Sequence, residues 1–208
     1  RWRVEQLPRL LGEGLPATMP TPWWPALLKP EQGGSGARIA LYDNVDAVEA
    51  ELAKNPGTWL PDNLLCMQEY CAPADVSRGI VRLEFLGGEL LYAMRVVAHG
   101  RFNLCPSPVC NAEDGGEGHC EIPAVKAPPV EFYPYPEVPA EAVAEGARIV
   151  KAARLDVGGL EYLDAADGRR VFYDVNANSN LRPSIGQAFG FDPFERVVDF
   201  LQRELARA

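Results

Sequence analysis

The residues best suited to chemistry lie in VFYDVNANSN, Val171 to Asn180. Asp174 and Asn176 are two positions apart at the end of an apolar run. Side chains of a strand alternate between faces, so this spacing sends the carboxylate and the amide to one side and Val175 to the other. A hard divalent cation such as Mg²⁺ takes oxygen ligands and leaves its remaining positions to water and phosphate. Taken alone, an Asp-x-Asn pair is equally the polar end of a strand. Glu161, in the apolar GLEYL segment, changes that balance. A short turn, Ala165–Gly168, separates the two segments, so antiparallel pairing brings Glu161 beside Asp174 and Asn176. Two close carboxylates repel unless a proton or a cation lies between them, so their clustering points to metal binding or catalysis.

Three upstream segments could act on the same ligand. In LLKPEQGGSGARIALY, Lys29 ends a strand, and Gly33, Gly34, Ser35 and Gly36 form a flexible turn before a second strand. Glycines allow backbone N–H groups close to an anion, and a lysine adds a point charge, which suits a flap over phosphate. A strand, not a helix, follows the glycines, so this is not a P-loop. Gln68, Glu69 and Tyr70 end the run LLCMQEY, where free backbone N–H and C=O groups could read an adenine edge. Arg82 and Arg95 lie on the two arms of IVRLEFLGGELLYAMRVV, where a shared face would turn both toward one cleft; otherwise they are solvated strand arginines.

These residues need elements to hold them. Strands are expected at Ala26–Lys29, Arg38–Tyr42, Leu64–Glu69, Ile80–Leu86, Glu89–Val97, Gly158–Leu163 and Arg170–Val175. Gly87-Gly88 marks a hairpin turn. Helices are expected at Arg3–Glu13, Val45–Lys54, Pro139–Ala153 and Pro193–Ala206. The last has Asp192 as cap, Pro193 in its first position, and a stripe of Phe194, Val197, Val198, Leu201 and Leu205. Pro106 to Pro136 is rich in Pro, Gly and Glu without periodicity and reads as an inserted loop. Cys105 just before it and Cys110, His119 and Cys120 within it fit no standard zinc spacing, so a loop of reduced cysteines or a lid near an acceptor is the better reading. With only His99 and His119 available and no nucleophile motif, a hydrolase triad has no support.

The chain has 208 residues, 47% hydrophobic and 24% charged, which is ordinary globular composition. No apolar run approaches the roughly 20 residues needed to span a bilayer. Its formal net charge of −9 disfavours broad binding to nucleic acid or an anionic membrane. Five cysteines without framework spacing suit a reducing cytoplasm. A start at Arg1 suggests a processed or truncated piece.

In their order, these segments resemble the ATP-grasp superfamily, and within it the RimK-type glutamate ligases. The resemblance rests on Lys29-Pro30 with its GGSG flap, QEY at Gln68–Tyr70, the VRLEFLGGELLYAMR hairpin, Phe102-Asn103, LDVGGLEYL and YDVN at Tyr173–Asn176. It implies an α+β fold of two lobes with antiparallel sheets and flanking helices, ATP lying between them. The lobes would be residues 1–70 and 71–208, the second with an inserted loop at 104–138. It implies Glu161, Asp174 and Asn176 as ligands of one or two Mg²⁺, with Mn²⁺ as a substitute. Lys29 and the flap would contact phosphate, Gln68 to Tyr70 adenine, and Arg82, Arg95 and Asn103 the phosphate or acyl-phosphate side. The implied reaction joins a carboxylate to an amine, through an acyl phosphate, at the expense of ATP; glutamate ligation is one form. The substrates would be small molecules or a protein or peptide acceptor. The alternative is a non-catalytic or partner-dependent ATP-binding module. The family's acids are more often Asp first and Glu second, so the two are exchanged in length here. Its Pro- and Gly-containing loop is replaced by Ala177 to Arg182. Full-length members of the family carry an N-terminal domain before the segment matched, so the resemblance implies either such a domain removed from or outside this chain or a minimal enzyme, with a homo-oligomer as a further possibility.

Overall fold

A computed structural model describes residues 2–3, 24–30, 39–54, 64–99 and 130–207. The chain divides into two compact units, the second beginning at Ala72 and continuing through Val130–Ala208.

In the first unit, four strands run in the order β1-β4-β2-β3: β1 Trp2–Arg3, β2 Ala26–Pro30, β3 Ala40–Tyr42 and β4 Leu64–Glu69. All the pairings are antiparallel. Strand alternation explains its two faces. Ala26, Leu28 and Pro30 are buried while Leu27 and Lys29 between them are only half-buried. Helix α1, Val45–Lys54, seats Val48 against Leu28, with Trp24, Tyr42, Leu52 and Met67 around them. Arg3 belongs to a strand rather than to the expected helix, whose remaining residues lie outside the described ones.

The second unit is built on a five-stranded antiparallel sheet in the order β7-β6-β5-β8-β9. Its strands are β5 Ile80–Leu86, β6 Glu89–Val97, β7 Glu131–Pro134, β8 Val157–Asp164 and β9 Arg170–Asn176. Gly87 and Gly88, with φ of 61° and 83°, make the β5–β6 turn in the left-handed region where glycine carries no Cβ penalty. Helix α2, Ala140–Ala153, covers one face. Its Ala142 and Val150 pack on Val81, Leu83, Phe85, Ala93, Leu160 and Tyr162. Gly146 is required at this contact, because a Cβ there would lie 2.9 Å from the Phe85 ring.

In the second unit two elements depart from expectation. Strand β7 lies inside the stretch that lacks periodicity; it is an edge strand, where Pro134 costs no ladder bond. A short helix, α3 Pro183–Ala188, follows the loop after β9. Helix α4, Pro193–Arg207, begins as expected, with Asp192 Oδ1 accepting the Phe194 N–H at 2.8 Å. Its stripe is not buried: Phe194, Val198 and Leu201 are each 51% exposed and Leu205 78%. Among the described residues no helix is long and apolar enough to cross a membrane.

Candidate functional site

The pairing register of the second sheet sorts its residues into rows. Met94, Arg82, Glu161 and Asp174 lie opposite one another across β6, β5, β8 and β9. The next row on the same face is Tyr92, Glu84, Gly159 and Asn176. Paired residues of an antiparallel sheet point to the same side, so three expected cation ligands and one of the expected arginines share the face opposite α2. Within these rows three carboxylates meet one guanidinium, and negative charge is in excess.

The centre of the face is closed by ion pairs. Arg82 Nε donates to Glu84 Oε1 at 2.6 Å and Nη1 to Glu161 Oε1 at 2.8 Å. All three residues are buried, Glu84 completely. Burial opposes the arginine's charge, and the two carboxylates more than restore it, so its pKa lies above the ordinary value. Gly159 makes this arrangement possible, since a Cβ at that position would stand 2.2 Å from Arg82 Nη2.

Glu161 is held on its other side by Tyr173. Glu161 pairs with Asp174 while Tyr162 pairs with Phe172, so β9 carries one extra residue there. This bulge turns Tyr173 as well as Asp174 toward Glu161, and the Tyr173 hydroxyl donates to Glu161 Oε2 at 3.1 Å. Burial raises the Glu161 pKa; Arg82 opposes the rise, and the nearby Asp174 carboxylate adds to it. Burial, reinforced by Glu161, holds the Tyr173 phenol well above its usual value. Asn176 Nδ2 donates to Asp174 Oδ2 at 2.8 Å, which fixes the amide so that its oxygen remains an acceptor. The donor set is therefore two carboxylates and an amide oxygen on adjacent strands. That set fits a hard divalent cation, which relieves the repulsion between the two acids.

The loop after β9 folds back over the same face. Arg82 Nη2 donates to the Asn178 carbonyl at 3.3 Å, the Asn180 N–H to Glu84 Oε1 at 3.2 Å, and the Arg182 N–H to the Tyr92 hydroxyl at 2.9 Å. The Arg182 guanidinium stacks 3.2 Å over the Phe132 ring of β7, and burial lowers its pKa.

Arg95 does not join this cluster. It pairs with Val81, one residue out of step with Arg82, and so lies on the α2 face. There its guanidinium sits 4.0 Å from the Tyr135 ring. The expectation of one cleft for both arginines is corrected by register parity. In the first unit, Lys29 pairs with Cys66 and Leu27 with Gln68, so Lys29 and Gln68 share the face away from α1. Glu69 pairs with buried Ala26 on the α1 side, and Tyr70 follows the strand end. Gly33, Gly34, Ser35, Gly36 and Asn103 lie outside the described residues, as do Cys105, Cys110, His119 and Cys120.

Two participants, Glu84 and Tyr173, are not among the expected site residues. Glu84 was detectable, because Arg-x-Glu in a strand puts opposite charges on one face. Tyr173 was not, because nothing in the alternation of Val171 to Asn176 announces the bulge.

No protein-family model and no curated protein matches this chain. Solved structures do. It is similar to Campylobacter jejuni biotin carboxylase in complex with an ATP analogue, with a TM-score of 0.61 and 15% identity over 95% of this chain and 40% of that one. It is similar to the RimK domain ATP-grasp protein of Sphaerobacter thermophilus, with a TM-score of 0.53 and 19% identity over 95% of this chain and 57% of that one. The ATP-grasp ligase PsnB, bound to a minimal precursor variant, Mg and ADP, gives a TM-score of 0.53 and 18% identity over 86% of this chain and 46% of that one. The chain thus spans about half the length of the structures it matches. Its two antiparallel sheets and flanking helices have the ATP-grasp fold.

Proposed function

We propose that this chain binds ATP with Mg²⁺ and serves an ATP-dependent ligase that joins a carboxylate to an amine. The observation that carries the reading is the oxygen cluster of Glu161, Asp174 and Asn176, gathered on one sheet face within an ATP-grasp fold. Similar structures hold ADP with Mg, as in PsnB, or MgADP with bicarbonate, as in a 2-oxoglutarate carboxylase domain.

Glu161, Asp174 and Asn176 would hold the cation, which supplies neutralisation of charge on the transferring phosphoryl group. Phosphoryl transfer asks for positioning and electrostatic stabilisation more than for a covalent nucleophile. Lys29 is the proposed phosphate contact, and the backbone of Gln68 to Tyr70 the proposed adenine contact. A substrate carboxylate oxygen attacks the γ-phosphorus and ADP leaves. The amine nitrogen then attacks the acyl carbon, phosphate leaves, and the amine proton passes to solvent. PsnB is complexed with a precursor peptide, which makes a peptide acceptor one candidate beside small molecules, glutamate among them.

One observation favours the alternative, an ATP-binding module without turnover. Arg82 is taken up by Glu84, Glu161 and the Asn178 carbonyl and is not held out for a phosphate. Phosphate release separates the two. A ligase releases phosphate only with both a carboxylic acid and an amine present, and forms an equal amount of amide by mass spectrometry. ATP binding without release, across a panel of acids and amines, identifies the module.

A further inference from the structure

Glu84 is completely buried, and only one of its two oxygens is satisfied. Oε1 takes both Arg82 Nε and the Asn180 N–H, while Oε2 has no partner. A buried carboxylate of this kind is costly, and apolar side chains of similar size generally serve a fold as well or better. Its position suggests what it provides. Asn180, Glu84, Arg82 and Glu161 form a continuous series of charge-assisted hydrogen bonds, and Arg82 adds the Asn178 carbonyl. One end is a proposed cation ligand. The other is the loop that begins directly after Asn176, the last of the proposed ligands.

We propose that Glu84, acting through Arg82, is a positioning residue that couples the orientation of Glu161 to the placement of the Asn178–Asn180 loop. The proposal rests on the Mg²⁺–ATP reading above. Arg82 is then also a positioning residue and not a phosphate contact. Its guanidinium lies against the backbone of Gly159, with Nη1 aimed at Glu161 and Nη2 at the loop. Groups that orient a metal ligand from behind commonly matter roughly ten- to a hundredfold for metal affinity. The same series gives the loop a fixed place above the rows that end in Asp174 and Asn176, so an acceptor lying against it would meet a preset surface.

The test compares the parent chain with Glu84→Gln and with the double variant Arg82→Met, Glu84→Leu. The double variant removes Arg82 and Glu84 together and keeps the packed volume; Glu161 loses its arginine but keeps the Tyr173 hydroxyl, so the cost is smaller than that of stranding two carboxylates. Mn²⁺ binding is read by electron paramagnetic resonance at saturating ADP, folding by thermal melting, and the loop by hydrogen exchange. Glu84→Gln keeps an oxygen acceptor and should stay within about threefold of the parent, well short of the outer-partner effect. The double variant should melt below the parent, stay folded at the temperature of the binding measurement, and bind Mn²⁺–ADP roughly tenfold more weakly or worse. Its Asn178–Asn180 amides should exchange faster while those of β5 and β6 do not. A folded double variant with the parent's affinity overturns the coupling alone. No Mn²⁺–ADP binding by the folded parent overturns the functional reading, and the coupling with it.

Discussion

The two faces of the five-stranded sheet are made by the same strands, yet they solve opposite problems. On the α2 face, Leu83, Phe85, Ala93, Leu160 and Tyr162 pack into a dry core. On the other, Arg82, Glu84, Glu161, Tyr173, Asp174 and Asn176 gather charge and hydrogen bonds. The α2 face is stabilised by area removed from water. The charged face is held by pairing, and each member depends on its neighbours. Apolar burial tolerates exchange of one side chain for another of similar volume. The cluster of Arg82, Glu84 and Glu161 does not tolerate the loss of its one cation.

The comparison can be broken most forcefully at Arg82. Arg82→Met alone leaves Glu84 and Glu161 buried without their counter-ion, and should cost about 3–5 kcal/mol by urea unfolding. A loss below about 1 kcal/mol, the usual scale of an exposed pair, would mean that water already reaches these acids.

A smaller effect is expected at Gly159, where a methyl group would collide with the guanidinium. Gly159→Ala should destabilise by about 1–3 kcal/mol, the cost of overpacking. The double variant Arg82→Met, Glu84→Leu should absorb part of that loss, because the guanidinium is gone. Equal losses in both backgrounds would place the strain elsewhere.

The α2 face offers the smallest change, and of opposite sign. The buried Tyr162 hydroxyl has no partner there. Tyr162→Phe should gain about 1 kcal/mol by removing an unsatisfied polar group. Burial also pushes the Tyr162 phenol up to about 12 from an ordinary 10.0. A raised pKa means that the unfolded chain ionises first. The stability held below pH 10 is therefore lost as pH climbs toward 12. Tyr162→Phe should reduce that alkaline loss and remove one late-titrating phenol from the ultraviolet absorbance curve. Unchanged alkaline stability would show that Tyr162 is not buried as described.

Much of this architecture was legible in the chain. The runs at Leu64–Glu69, Ile80–Leu86 and Glu89–Val97 matched their strands, because local alternation and the Gly87-Gly88 turn set their limits. Asp174 and Asn176 share a face, as two-residue spacing requires, and Glu161 stands opposite Asp174. What escaped depends on register, which is a property of two strands and not of one. Arg82 and Arg95 are separated by a hairpin whose pairing puts them on opposite faces. The Tyr173 bulge depends on how β8 meets β9. Strand β7 escaped because Glu131–Pro134 has too few residues to show a period and finds its place only by pairing with β6.

If the charged face holds a cation against ATP, as proposed, Asp174 is the ligand whose loss shows it most simply. Asp174→Asn removes one negative charge with almost no change in volume. Calorimetric titration with ATP and Mg²⁺ should show saturable binding by the parent. The variant, folded to the same melting temperature, should bind roughly tenfold more weakly or worse, since losing a direct ligand costs at least as much as losing an outer partner. Equal affinity in the two proteins, or no binding by the folded parent, would mean that this face does not hold a cation against ATP.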